Sequence, residues 1–279
     1  MINQIIFAGN GHGGIAAFKS LQVFFSAISV VTEDNNILKL FRKSDHQISS
    51  IESVDLKYVV CAGYHSIISK KILATKIIIN THPSLLPKYR GLHSLVWAML
   101  NFEKELGFTI HLMNEFIDDG DIIEQFKIKY ENQTSQEIML KFDKYVELNL
   151  GKIVRNFLQG TLKLKTQNKD EATWVGKRNI SDCLIDFNRS NQYIRMMFKA
   201  LVRPYPLPMI KIDNRFKEID SCTIIDRKYE MHTARVINIE GSKVYVKTLD
   251  GFIIIENLID HETQVKVQAS KVLKIGQRL

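Results

Sequence analysis

Short apolar runs separated by amphipathic stretches dominate the first 130 residues of the chain. Residues 5–8, 28–32, 58–62 and 77–79 are four such runs, each with the near-continuous hydrophobicity of a strand covered on both faces. Gly9-Asn10-Gly11-His12-Gly13-Gly14 follows the first run and opens a predicted helix over residues 15–24. Strands alternating with helices at this spacing predict a parallel α/β sheet. Residues 108–113 and 122–129 read as two more strands bracketing a polar loop. Thr134-Ser135-Gln136-Glu137 matches a capping box. Ile138, Phe142, Val146, Leu150, Ile153 and Phe157 then recur every three or four residues as one buried helical stripe. Another helix begins near Ser190, with Ile194, Met197, Phe198 and Leu201 on one face, and ends before Pro204, Pro206 and Pro208.

Beyond the prolines the period shortens. Runs at 233–239, 243–249 and 252–256 are separated by Glu240-Gly241 and Asp250-Gly251, strong hairpin signals. The expected fold is therefore a Rossmann-like, mostly parallel α/β sheet with helices on both faces, followed by a small antiparallel OB-like β domain. Residues 1–203 form the expected first domain and residues 204–279 the second.

Composition narrows the class. The 279 residues are 45% hydrophobic and 24% charged, ordinary values for a folded globular chain. Cys61, Cys183 and Cys222 are odd in number and far apart, which disfavours a disulfide framework or a cysteine-based zinc site and fits a reducing, cytoplasmic setting. No apolar run is long enough to span a bilayer, so no membrane partner is expected. The formal charge is +8, yet residues 1–60 hold five Lys/Arg and five Asp/Glu, so the excess lies downstream. Basic pairs such as Arg42-Lys43 and Lys177-Arg178 form no dense run.

Three segments carry candidate chemistry. Gly9-x-Gly11-x-x-Gly14 stands between strand and helix, with Glu33 and Asp34 at a ribose-binding distance. Alone it is compatible with a dinucleotide site, another phosphate cradle or a plain tight turn. The second segment is Asn80-Thr81-His82-Pro83-Ser84-Leu85-Leu86-Pro87-Lys88-Tyr89-Arg90-Gly91. Asn80 and His82 at i and i+2 after a buried strand project to one face, at the carboxyl end where α/β sheets bind ligands. The third is Asn114-Glu115-Phe116-Ile117-Asp118-Asp119-Gly120-Asp121. It offers too few oxygens for a hard cation, but one carboxylate well suited to orient and charge His82. Asp119 reads as part of an acidic turn facing solvent.

Together these segments resemble the folate-dependent formyltransferase family. The similarity rests on the Asn80–Gly91 run, on Gly107-Phe108-Thr109-Ile110-His111, and on Ile117-Asp118-Asp119-Gly120-Asp121-Ile122-Ile123. Looser similarity extends through Ala172-Thr173-Trp174, Ile185-Asp186-Phe187 and Gly276-Gln277-Arg278-Leu279. The resemblance implies 10-formyltetrahydrofolate as formyl donor, no metal, and Asn80, His82 and Asp118 as the catalytic set. It places the pterin against Ser66, Ile67 and Ile68 and against Asn114, Glu115, Phe116 and Ile117. It also removes the dinucleotide role from the glycine loop.

The acceptor is expected to be a nucleotide-linked amino deoxysugar, such as dTDP-4-amino-4,6-dideoxyglucose, serving lipopolysaccharide O-antigen and other cell-envelope glycans. Methionyl-tRNA is the alternative, and a non-enzymatic glycine-loop binding protein a further one. Departures from the tRNA enzymes favour the sugar. After Arg90-Gly91 the chain reads Leu92-His93-Ser94-Leu95-Val96-Trp97, where the tRNA enzymes read Ala-Ala-Pro, and the part before Asn80 lacks room for their basic inserted loop. Candidate phosphate contacts are Asn10, Gly11, His12, Arg90, Lys177 and Arg178. The C-terminal barrel is compatible with RNA binding, with packing in a homodimer, or with neither.

Overall fold

A computed structural model describes residues 2–279. In chain order its elements are β1 (Gln4–Gly9), α1 (Gly11–Phe24), β2 (Ala27–Val31), α2 (Asn35–Leu38), β3 (His46–Gln47), β4 (Tyr58–Ala62), α3 (Lys70–Thr75), β5 (Ile77–His82), β6 (Arg90–Gly91), α4 (Ser94–Leu100), β7 (Glu105–Leu112), β8 (Ile122–Lys129) and α5 (Ser135–Leu158). They continue with β9 (Trp174–Val175), α6 (Asn191–Ala200), β10 (Met209–Ile212), β11 (Arg215–Asp226), β12 (Val236–Glu240), β13 (Lys243–Lys247), β14 (Gly251–Asp260) and β15 (Lys266–Gln268).

Two compact units divide the chain. The first comprises Met1–Ala98, Glu103–Glu131 and Glu137–Lys177, the second Met99–Phe102, Asn132–Gln136 and Arg178–Leu279. Residues 178–203 thus belong with the second unit, whereas the proline run had suggested a boundary at 203/204. The segment holding α6 joins the β-rich part because Asn191 ties it there. The Asn191 backbone N–H donates to Asp250 Oδ2, its amide nitrogen donates to Asp226 Oδ1, and its Oδ1 accepts from Thr248. Prolines stop a helix but do not end a domain.

The first unit is built on a seven-stranded sheet of order β3-β2-β1-β4-β5-β7-β8. Strands β3 to β5 are parallel; β7 then runs antiparallel to β5, and β8 antiparallel to β7. Ile5, Ile6, Phe7 and Ala8 of β1 are fully buried, as a central strand covered on both faces must be. The expected buried stripe of α5 is present: Ile138, Phe142, Val146 and Leu150 are at most 1% exposed. Tyr58–Ala62 and Ile122–Lys129 form strands with the bounds read from the sequence. Strand β5 instead runs on to His82, so Asn80 and His82 are ladder residues rather than loop residues. That difference fixes their directions through sheet register.

The second unit carries a six-stranded antiparallel sheet of order β10-β11-β14-β13-β12, with β15 on β14. The Glu240-Gly241 and Asp250-Gly251 turns join antiparallel neighbours, as expected. Ile219, Val244, Val246, Ile253, Ile255 and Leu258 fill its core. No helix among the described residues is long and apolar enough to cross a membrane.

Candidate active site

Register assembles the site. Across the β5–β7 pair, Asn80 stands opposite His111 and His82 opposite Thr109. Directly opposed residues share a face, so Asn80 Nδ2 comes 3.3 Å from His111 Nε2. A bulge beside it, where Ile110 pairs with Glu124 but His111 with Ile122, re-aims the His111 side chain. Thr109 holds the turn that follows β5: its hydroxyl donates to Ser84 O at 2.6 Å and accepts from Leu86 N at 3.2 Å. The Gln125 amide donates to Leu86 O at 2.9 Å.

Asp118 completes the cluster from the loop between β7 and β8. Its Oδ2 lies 3.4 Å from His82 Nδ1 and its Oδ1 3.5 Å from His111 Nε2, while the Gly91 N–H donates to Oδ2 at 2.8 Å. One carboxylate therefore faces two imidazoles and a backbone donor. The two rings are edge-on, 6.4 Å apart. Asp118 has φ +51°, a left-handed conformation that a residue with a Cβ adopts only when its surroundings hold it. Two glycines make the approach possible. A Cβ on Gly91 would lie 2.2 Å from Val175 O, and one on Gly120 would lie 2.0 Å from Leu112 O.

Carbonyls fix part of the proton inventory. The Tyr89 carbonyl, 2.9 Å from His82 Nε2, can only accept, so His82 donates there. His111 likewise donates from Nδ1 to Leu112 O at 2.7 Å. The His82 nitrogen facing Asp118, Nδ1, is then the position at which that ring can gain or lose a proton. Burial works against ionised Asp118, yet the hydrogen bond from His111, the charges of His82 and His111 and the Gly91 N–H hold its pKa at about 2. Burial also pushes the His82 imidazole below its ordinary value, and the Asp118 charge opposes this without reversing it. The sequence had suggested that Asp118 keeps His82 charged. Desolvation wins instead, because His82 is only 5% exposed, and the resting ring is poised to accept a proton.

Ser66–Ile68 lie in the loop after β4, the neighbour of β5, and Asn114–Ile117 in the loop that carries Asp118. Ile68 and Met113 pack on one core cluster of Ile6, Ala8, Ile51, Val59, Cys61 and Ile78. Lys70 Nζ, at the start of α3, pairs with Glu115 at 2.6 Å and ties the loop before that helix to the loop before Asp118. Ile67, Phe116 and Ile117 are 98%, 62% and 69% exposed. Large apolar side chains standing in solvent are the feature that marks a binding surface rather than a core. Asn114 Oδ1 accepts from Phe116 N and shapes its loop.

The six phosphate candidates fare differently. The Gly11 N–H donates to Asp34 Oδ2 at 2.9 Å, and Asn10 Oδ1 accepts from Thr32 and the Glu33 N–H. A carboxylate of the chain itself occupies the helix start, which repels phosphate; Asn10 and Gly11 therefore serve the turn. His12 and Lys177 are exposed. Arg178 is 7% exposed and donates to Cys183 Sγ at 3.1 Å, so it is no surface cation. Arg90 is 3% exposed, and its Nη1 lies 2.6 Å from Asp119 Oδ1. Hence Arg90 does not face a substrate, and Asp119 is not a solvent-facing turn residue; each neutralises the other beneath the loop.

The sequence assigns no site role to His111, Gln167 or Trp174. Gln167, 5% exposed, donates to the carbonyls of Asp118 and Gly120. Trp174, on the β9 strand beside Arg90, is 66% exposed. His111 and Trp174 stand inside the stretches Gly107-Phe108-Thr109-Ile110-His111 and Ala172-Thr173-Trp174, and the role of His111 needed the β5–β7 register.

Comparison with known proteins agrees with this architecture. The Formyl transferase family model matches residues 22–148. Methionyl-tRNA formyltransferase of Finegoldia magna is 31% identical over 236 residues, covering 82% of this chain and 72% of that protein. The bifunctional polymyxin resistance protein ArnA of Wigglesworthia glossinidia brevipalpis is 31% identical over 193 residues, 67% of this chain and 30% of that protein. Among solved structures, the N-formyltransferase of Helicobacter canadensis, crystallised with folinic acid and dTDP-3-aminofucose, shares the fold with TM-score 0.68 and 20% identity over 91% of this chain and 99% of that one. On the strength of the kinship with the Finegoldia protein, this chain belongs to the folate-dependent formyltransferase family, whose members are enzymes that transfer formyl groups.

Proposed function

We propose that this enzyme moves a formyl group from 10-formyltetrahydrofolate to the amine of a nucleotide-linked amino deoxysugar, with Asn80, His82 and Asp118 as its catalytic residues. The convergence of one amide, one buried neutral imidazole and one ionised carboxylate at the end of β5 carries the formyl-transfer reading. The folate supplies an activated one-carbon unit, and the exposed apolar side chains of Ile67, Phe116 and Ile117 offer its ring a surface. Asn80, which contacts His111, can turn one amide hydrogen to the formyl oxygen as charge builds there. Such a donor is worth about 3–4 kcal/mol. The His82–Asp118 pair receives the proton that the attacking amine sheds and returns it to the departing nitrogen. His82 meets the first task because burial keeps it neutral, and Asp118 stabilises the imidazolium once formed.

For the acceptor, the stretch Leu92–Trp97 replaces the tRNA enzymes' Ala-Ala-Pro. In the two basic pairs before β5 one member each is engaged within the chain: Arg42 by Asp45 and by the carbonyls of Gln22 and Phe25, and Lys70 by Glu115. Gripping a nucleic acid takes many phosphate contacts; a nucleoside diphosphate takes two or three. The second reading, methionyl-tRNA as acceptor, is favoured by the identity to the Finegoldia enzyme. Incubation with the folate donor and a panel of dTDP- and UDP-linked amino sugars, beside charged initiator tRNA, separates the two. Mass spectrometry is expected to show one formyl group added to a sugar nucleotide. Formylation of the tRNA alone overturns the sugar assignment.

A further inference from the structure

We propose that Gln167 is a positioning residue that, with Arg90, holds Asp118 in register with His82; this rests on the catalytic reading of Asp118 given above. Gln167 follows α5 in a strap whose residue Lys165 exchanges both backbone hydrogen bonds with Ile122. Its amide is fully engaged. Nε2 donates to Asp118 O at 2.8 Å and to Gly120 O at 2.7 Å, and Oε1 accepts from Arg90 Nε at 3.2 Å and Nη2 at 2.7 Å. The orientation is forced, since a flipped amide would set oxygen against two carbonyls and NH2 against a guanidinium.

The two carbonyls bracket Asp119, whose own carboxylate sits 2.6 Å from Arg90 Nη1. Residues 118–120 are thereby held at three points by two side chains, neither of which is paired with His82. Asp118 needs this support: its φ is +51°, and its carboxylate must face His82, His111 and the Gly91 N–H together. The same strap closes the other side of the joint. Thr173 O accepts from Arg90 N at 2.8 Å, Thr173 Oγ1 from Tyr89 N at 2.8 Å, and β9 pairs with β6, which carries the Gly91 donor. The strap thus sets both the Asp118 backbone and the amide that binds its side chain, and Gln167 is the side chain through which it reaches the carbonyls of Asp118 and Gly120.

The test uses the full-length protein with ring-labelled histidine, following the His82 titration by NMR without substrate. Asp118→Asn removes the carboxylate that pulls His82 upward, so the midpoint falls. Gln167→Leu and Gln167→Glu are expected to lower it in the same direction. The Glu variant keeps the volume and an Arg90 partner but cannot donate to the two carbonyls, so it separates positioning from packing if the Leu variant unfolds. In formyl transfer both variants should lose roughly 10–100-fold in kcat with KM for the donor unchanged. A folded Gln167→Glu protein with the wild-type His82 midpoint and wild-type kcat overturns the proposal. Absence of formyl transfer by the wild type would remove the catalytic reading instead, while the NMR shift still decides whether Gln167 positions Asp118.

Discussion

Two loops leave the carboxyl ends of the same parallel strands, and they have opposite characters. The glycine loop after β1 lies where strand order reverses between β2 and β4, the usual location of a ligand in an open α/β sheet. Yet its groups are engaged from within: Asp34 accepts the Gly11 N–H, and Asn10 Oδ1 accepts from the Thr32 hydroxyl and the Glu33 N–H. At the end of β5, where parallel pairing gives way to antiparallel, a carboxylate faces two imidazoles at 3.4 and 3.5 Å, on backbone held left-handed at Tyr89 and Asp118. The first loop is a finished turn and the second a collection of groups that can exchange protons. Position in a topology proposes a site; unspent proton chemistry identifies one.

Substitutions can break this contrast, beginning with the largest effect. His82→Ala or Asn80→Ala should lower kcat by about 10²–10⁴-fold, with donor binding retained in a fluorescence titration; near-normal turnover would sink the catalytic assignment. Arg90→Leu leaves the partly exposed Asp119 without its cation and should cost about 3 kcal/mol in chemical denaturation.

Acid should weaken the β5 site in a defined window. Asp118 titrates at about 2 when folded, against about 3.9 unfolded. The unfolded chain binds the extra proton between these values, so the contribution is complete above about pH 4 and lost as pH falls through about 2. His82, with its folded value depressed, loses stability in the same direction as pH drops below about 6.5. Unfolding midpoints measured against pH should fall across both ranges, and Asp118→Asn should flatten the lower one. The smallest effect belongs to the glycine loop. Asp34→Ala removes the cap that Asn36 N and Gly11 N use and should cost about 1 kcal/mol, with formyl transfer unchanged.

Much of this was legible before any coordinates. Apolar runs found the strands because a strand buried on both faces must be apolar throughout, and Asn80, His82 and Asp118 stood in dense, unusual segments. Burial of charge was not legible. Arg90 looks like a surface cation until Asp119 and Gln167, far along the chain, close over it. Asp34 looks like a ribose ligand until it folds onto Gly11. The resting state of His82 also depended on depth, since proximity to Asp118 and loss of water act in opposite senses and only packing decides between them.

The antiparallel seam between β5 and β7 works as a ruler with single-residue gradations. Because side chains alternate faces, inserting or deleting one residue within β7 would bring Ile110 or Leu112 opposite Asn80 in place of His111. Descendants of this chain can vary the composition of that strand, but its length between the seam and the Asp118 loop is closed to change.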